Sequence, residues 1–248
     1  MTDPYVFEII FIVFFLAGLV KGVIGLGLPT VSLALLSIAI NIPTAMSLLL
    51  LPSFVTNLWQ STKGGFGGQL LVRLWPFYIS VFVAIWFGTN ILVQINSSIL
   101  TGTLGGLLLI YGMSSLGGFS INIISKNESI IGIFFGLING TLTGVTGSFV
   151  FPGLLFLQGI GLTREELIQA MGILFTISTV ALALGLKANN ILTLEHSIWS
   201  IIALFPAIIG MAFGNIIQKK VSEIRFRYYF FLGVIIIAIF MIFKAINF

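Results

Sequence analysis

Two short stretches of this chain gather residues that can hold an anion. The first reads Lys21-Gly22-Val23-Ile24-Gly25-Leu26-Gly27-Leu28-Pro29, and the second runs from Asn139-Gly140-Thr141 through Thr143-Gly144-Val145-Thr146-Gly147-Ser148 to Pro152. Glycine costs about 1 kcal/mol against alanine inside a helix, and proline removes a backbone donor, so each stretch is expected to break a helix. Backbone N–H groups freed at a helix start attract negative charge through the positive end of the helix dipole. The candidate substrate-binding residues are therefore Lys21, Gly25 and Gly27 from the first break, and Asn139, Thr143, Gly144, Thr146, Gly147 and Ser148 from the second. The hydroxyls at 141–148 would add donors, and Lys21 would add a formal charge at the position that Asn139 occupies in the second stretch. Asn57 and Thr176, on the next helix after each break, complete the set, with Thr56, Gln60, Ser178 and Thr179 beside them. Each has a plainer reading. Gly18, Gly22, Gly136 and Gly140 have the small-xxx-small spacing that lets membrane helices pack closely, Lys21 can snorkel to an interface, and serine and threonine hydroxyls can bond back to their own helix.

The elements that carry these residues must lie in a membrane. Hydrophobic residues make up 58% of 248 positions and charged residues 7%, with a mean hydropathy of +1.18. A soluble domain carries roughly 25% charged residues. Runs such as 70–93 and 226–243 reach the roughly 20 apolar residues that a spanning helix needs, and they are apolar on every face, unlike the alternating segments of a membrane barrel. The fold class is an all-α polytopic membrane protein, a single transmembrane domain over 1–248. The amino terminus has no basic residue, so its first hydrophobic segment is expected to be kept as a span and not removed as a signal peptide. There is no cysteine, which excludes disulfides and thiolate metal sites.

Internal matches divide the chain in two. Gly18-Leu19-Val20-Lys21-Gly22 is echoed by Gly136-Leu137-Ile138-Asn139-Gly140 at an offset of 118, Pro29 by Pro152 at 123, Ala45-Met46 by Ala170-Met171 at 125, and Phe87-Gly88 by Phe213-Gly214 at 126. The reading is two repeats, about 5–121 and 130–246, of about five hydrophobic segments each: 5–27, 29–41, 43–60, 71–94 and 98–121, then 130–145, 148–160, 166–187, 195–218 and 226–246. Segments 29–41 and 148–160 are too short to cross as straight helices. If each forms one broken span with its predecessor, Lys and Arg divide five against five. If each crosses separately or turns back as a hairpin, Lys63, Arg73, Lys126, Arg164, Lys219, Lys220, Arg225 and Arg227 share a side against Lys187 and Lys244. Cytoplasmic loops carry the excess of positive charge, which favours the second arrangement. Repeats of odd parity are inverted, an arrangement in which transporters place the substrate near the midplane at the repeat interface. Both termini are then expected in the periplasm of a bacterial inner membrane, and loops 61–70, 122–129 and 219–227 in the cytoplasm.

What the spans lack points the same way. All seven carboxylates (Asp3, Glu8, Glu128, Glu165, Glu166, Glu195, Glu223) fall near segment ends or in loops, so a cation would find no acidic site. The expected partners are a small anionic substrate and the lipid bilayer. Nucleic acid is excluded, no metal or cofactor is expected, and a homo-oligomer is left open. A transporter is not an enzyme, and no catalytic residue is assigned. The competing readings are a passive anion channel built on the same residues, and an intramembrane serine hydrolase using Ser148 with His196 as base, which must meet within about 3 Å.

At the two breaks, Gly18 to Pro29 and Gly140 to Pro152, with Ala-Met-Gly at 170–172, the sequence resembles the TauE/SafE sulfite-exporter family of membrane permeases, essentially over its whole length. The resemblance implies movement, usually export, of sulfur-containing anions such as sulfite, sulfoacetate or other organosulfonates.

Overall fold

Apolar runs punctuated by proline, glycine and capping residues fold as eleven α-helices, with no strand among the described residues. The computed structural model describes residues 4–123 and 125–247; Asp3 lies outside them. The helices are α1 (Pro4–Ile24), α2 (Leu28–Ala39), α3 (Ile42–Leu48), α4 (Leu50–Thr62), α5 (Gly67–Leu92), α6 (Ser97–Leu116), α7 (Glu128–Thr146), α8 (Gly153–Gly159), α9 (Arg164–Ala188), α10 (Leu194–Gln218) and α11 (Glu223–Asn247). Local chemistry sets their ends. Asn41 and Asn96 accept from the N–H groups of Thr44 and Ile99 at 2.9 Å, and Thr163 and Glu166 form a reciprocal capping box at the start of α9, each satisfying donors that the helix leaves open.

Seven helices are long and apolar enough to cross a membrane, and the bent pair α3/α4 makes an eighth. The expected segment 43–60 is thus two helices, bent by 47° at Leu49. Pro52 has no N–H for the carbonyl of Leu48; Ser200 takes over, donating to Leu48 O at 2.9 Å and accepting from Leu51 N at 2.9 Å. The expected segment 148–160 is helical only over α8.

The chain forms two compact units, Met1–Pro52 with Asn96–Gly117 and Ile191–Phe248, and Ser53–Ile95 with Gly118–Asn190. In the first, α1 and α10 run side by side in one direction, with Phe7 against Trp199 near their starts and Gly22 against Gly214 near their ends. Ser200, beside Trp199, holds Leu48 and Leu51, so α2 has brought the chain back to the end where α1 began. The α6 and α11 helices run antiparallel, Gly102 facing Ala245 and Gly112 facing Ile235, and Lys244 caps α2 through Ile38 O at 3.2 Å.

In the second unit, α5, α7 and α9 are parallel. Tyr78 donates to Ala170 O at 3.3 Å and Asn189 to Asn90 at 3.1 Å. Arg73 forms a fork with both oxygens of Glu128, the first residue of α7, at 2.7 Å each, and donates to Ile160 O, just past α8, at 2.9 Å. The start of α7 and the end of α8 therefore lie together, and the pair is a hairpin, not one straight broken span. Gln169 donates to Ser61 O at 2.8 Å and accepts from Phe66 N at 2.9 Å, which brings the α4–α5 loop to the same end of this unit. Lys63, Arg73, Lys126 and Arg164 thus gather at that end.

Arg73→Ala is expected to lower stability by about 2 kcal/mol, because it leaves the largely enclosed Glu128 unpaired and frees the end of α8. Arg73→Lys should recover little of this, since a single ammonium cannot reproduce the two-pronged fork. Thermal unfolding of the purified variants measures both.

The internal contacts of the two units match residue by residue. A Cβ on Gly18 or Gly22 would run into backbone at Ala207, Met211 and Gly214; one on Gly140 or Gly144 would run into backbone at Val81, Ile85 and Gly88. The offsets are 122 for the first helix of each set and 126 for the second. The sequence match at 118 is one helical turn out of register with this packing.

Candidate functional site

Each break is a left-handed turn closed by a glycine. Gly25 sits at φ 76° and donates to Lys21 O at 2.8 Å; Gly147 sits at φ 76° and donates to Thr143 O at 2.7 Å. Only glycine takes this backbone region routinely. The matching turns pair Lys21 with Thr143, correcting the expected pairing of Lys21 with Asn139; Ala17 stands where the second hairpin has Asn139.

In the first unit, Lys21 lies in the last turn of α1 and is 4% exposed. Gly27, at φ 105°, precedes α2. Thr30, in the first turn of α2, is buried and its hydroxyl has no partner among the described residues. Thr30 is absent from the sequence-derived set; a polar residue right after the proline of the break was the signal available for it.

In the second unit, Asn139, Thr143, Thr146 and Ser148 are all buried. The hydroxyls expected to serve as anion donors are bonded to backbone instead. Thr143 donates to Ser148 O at 2.8 Å, Thr146 to Leu142 O at 2.7 Å, and Thr176 to Gly172 O at 2.7 Å. Thr146 Oγ1 also accepts from Ser148 N at 3.2 Å. The two bonds to Ser148 brace the non-helical stretch, as backbone at membrane depth requires. Gly144 is a packing residue in α7 against Gly88, while Gly147 makes the turn. Asn139 Oδ1 accepts from Gly153 N at 2.9 Å and so ties α7 to the first residue of α8. Its Nδ2 is buried without a partner among the described residues, as are the hydroxyls of Ser53 and Ser178 in the same unit. A buried donor left unpaired costs about 1–3 kcal/mol.

On α4, Asn57 is fully buried, Thr56 bonds back to Ser53 O at 3.4 Å, and Gln60 donates to Ile168 O at 2.8 Å. Thr179 bonds back to Phe175 O at 2.6 Å. His196, at the start of α10, has Nδ1 2.9 Å from Ile191 O. Among the described residues no group of three or more His, Cys, Asp or Glu side chains could hold a metal ion.

Spans interrupted by glycine hairpins, with polar side chains buried at the interruptions, define a polytopic helical membrane protein. More particularly, the chain belongs to the sulfite exporter TauE/SafE family, whose family model matches residues 10–241. No curated protein and no solved structure matches the chain. Membership makes it a membrane transporter of the sulfite-exporter kind.

Proposed function

We propose that this protein exports a small sulfur-containing anion, sulfite or an organosulfonate, across a bacterial inner membrane by alternating access between two inverted repeats. The observation that carries this reading is the pair of glycine-turned hairpins with buried polar groups, in a chain that the family model matches over 10–241. Two hairpins with the same turn and the same helix-crossing pattern support a duplicated transporter. The lack of mid-span carboxylates supports an anion over a cation. From the candidate set, Lys21, Gly25 and Gly27 in the first unit and Asn57, Asn139, Gly147 and Ser148 in the second are taken as recognition residues, with Thr143 and Thr146 holding the second hairpin in shape and Thr176 bonding back within α9.

Purified protein in liposomes is expected to take up sulfite with saturable kinetics, accelerated by sulfite or a sulfonate on the opposite side. Flux that rises linearly with concentration and ignores the opposite side would instead indicate a passive channel.

The sidedness we infer places both termini in the periplasm and Lys63, Arg73, Lys126 and Arg164 in the cytoplasm. The chain has no cysteine, so single-cysteine labelling is free of background. Lys63→Cys and Lys126→Cys are expected to react from the cytoplasmic side only, and labelling of the two from opposite sides would sink this topology.

A further inference from the structure

Gly153 fixes which way the Asn139 carboxamide faces. Its N–H donates to Asn139 at 2.9 Å, and an N–H can only meet the amide's oxygen, so the group cannot be turned over. Both hydrogens of Nδ2 are left for some other acceptor. Asn139 is fully buried, and Nδ2 has no partner among the described residues. Buried polar groups without partners are rare in native proteins and ask for an explanation. The hydroxyls on either side are already committed, Thr143 to Ser148 O and Thr146 to Leu142 O. Of Asn139, Thr143 and Thr146, Asn139 alone offers hydrogens that no carbonyl takes.

We propose that Asn139 is a specificity-determining residue of the transport site, donating from Nδ2 to an oxygen of the bound oxyanion while its own Oδ1 stays on Gly153. The proposal rests on the anion-export reading above and assigns within it the group that reads the anion's charge-bearing end. With Oδ1 turned to Gly153, what the side chain brings to a ligand is the pair of donors on Nδ2. It therefore selects a group whose oxygens purely accept, as in sulfite or a sulfonate, and rejects one that must donate, such as an ammonium. In a substrate with an anionic head and a second polar group, the oxyanion is the end held here.

The isosteric variant Asn139→Asp separates the two roles of the side chain. One carboxylate oxygen can still accept from Gly153, but an acceptor replaces Nδ2 and faces the anion. Full-length protein is titrated with sodium sulfite and, separately, sulfoacetate, following the thermal transition, since a ligand that binds the folded state raises it. Sulfite counterflow is measured on the same preparations in liposomes. In the absence of anion, N139D is expected to melt within a few degrees of wild type. Its apparent affinity for both anions should fall about a hundredfold, from the loss of a charge-assisted bond and the added repulsion, with counterflow half-saturation moving in step. An unchanged response to both anions in N139D would overturn the proposal and leave water as the partner of Nδ2, with export by the wild type intact. A wild-type protein that answers neither anion in either assay would overturn the export reading itself. If N139D does not fold, Asn139→Ser carries the test: its hydroxyl sits where Cγ was, one bond short of the Nδ2 position, and at least a tenfold loss of affinity is expected against none if the proposal is wrong.

Discussion

Lys21→Met protein is expected to insert, fold and lose most of its transport. Lys21 is buried in the last turn of a spanning helix, where a cationic side chain costs about 2.5–3.5 kcal/mol on insertion scales. Methionine has a similar length and flexibility and none of that cost, so the variant should melt at or above the wild-type temperature. Flux is a different matter. An ionisable residue inside a span is a functional residue by default, and Lys21 is the cation carried at the first hairpin. Loss of the charge-assisted contact proposed between Lys21 and the anion would be worth roughly 1.5–3 kcal/mol, so sulfite uptake should fall about tenfold to a hundredfold. The readouts are thermal unfolding of detergent-solubilised protein and initial rates in liposomes. A Lys21→Met protein with the wild-type rate would remove Lys21 from the site.

Gly144→Val is expected to have the opposite signature, with little folded protein to assay. Glycine here is a matter of space. The Cβ position of Gly144 lies against the Ile85 carbonyl and the Gly88 backbone, and that of Gly22 against the Met211 carbonyl and Gly214. Backbone cannot move aside as the end of a flexible side chain can, so the helices must separate. Overpacking costs about 1–3 kcal/mol where a core can adjust; here the helices are in backbone contact, and a loss of about 4 kcal/mol or more is expected. Gly22→Val should behave alike. Gly106→Ala and Gly233→Ala are the controls, because a methyl at either meets nothing within 4 Å, and alanine in a helix is intrinsically favoured. Size-exclusion profiles and melting temperatures of the four proteins, made in parallel, decide the matter. A Gly144→Val protein as stable as Gly106→Ala would mean that α5 and α7 are not in backbone contact.

Hydropathy alone located nearly every helix, because a membrane leaves a chain only one way to satisfy its backbone over 20 residues. The breaks at 25–27 and 147–152 were legible for the same reason, since glycine and proline announce them. What escaped depends on partners distant in sequence. Pro52 leaves the Leu48 carbonyl open beside the bend at Leu49, but the group that satisfies it, Ser200, lies about 150 residues later. Arg73 and Glu128 look like ordinary end-of-segment charges until the fold brings them to one end of a unit with Ile160. At the candidate site the sequence names polar residues but not the partners that hold them. Thr143, Thr146 and Thr176 read as donors to a ligand, yet each hydroxyl has a backbone carbonyl within reach, and sequence cannot show that competition. The repeat register slipped by one turn because glycine recurs every four residues in α7, at 132, 136, 140 and 144. Packing, which counts backbone contacts and not letters, restored it.

The partner of α1 has a consequence for how the molecule is made. Gly18 and Gly22 pack on α10, about 190 residues further along a chain that is synthesised at about 5–20 residues per second. The glycine face of α1 therefore waits in lipid for roughly 10–40 s after it is translated, whereas α5 meets α7 within a quarter to a third of that time. The second unit's helix crossing is available first, and α1 remains open to wrong partners until α10 arrives. A translational pause between α9 and α10 would lengthen that exposure, and the quality-control machinery of the membrane would meet α1 at its most vulnerable then.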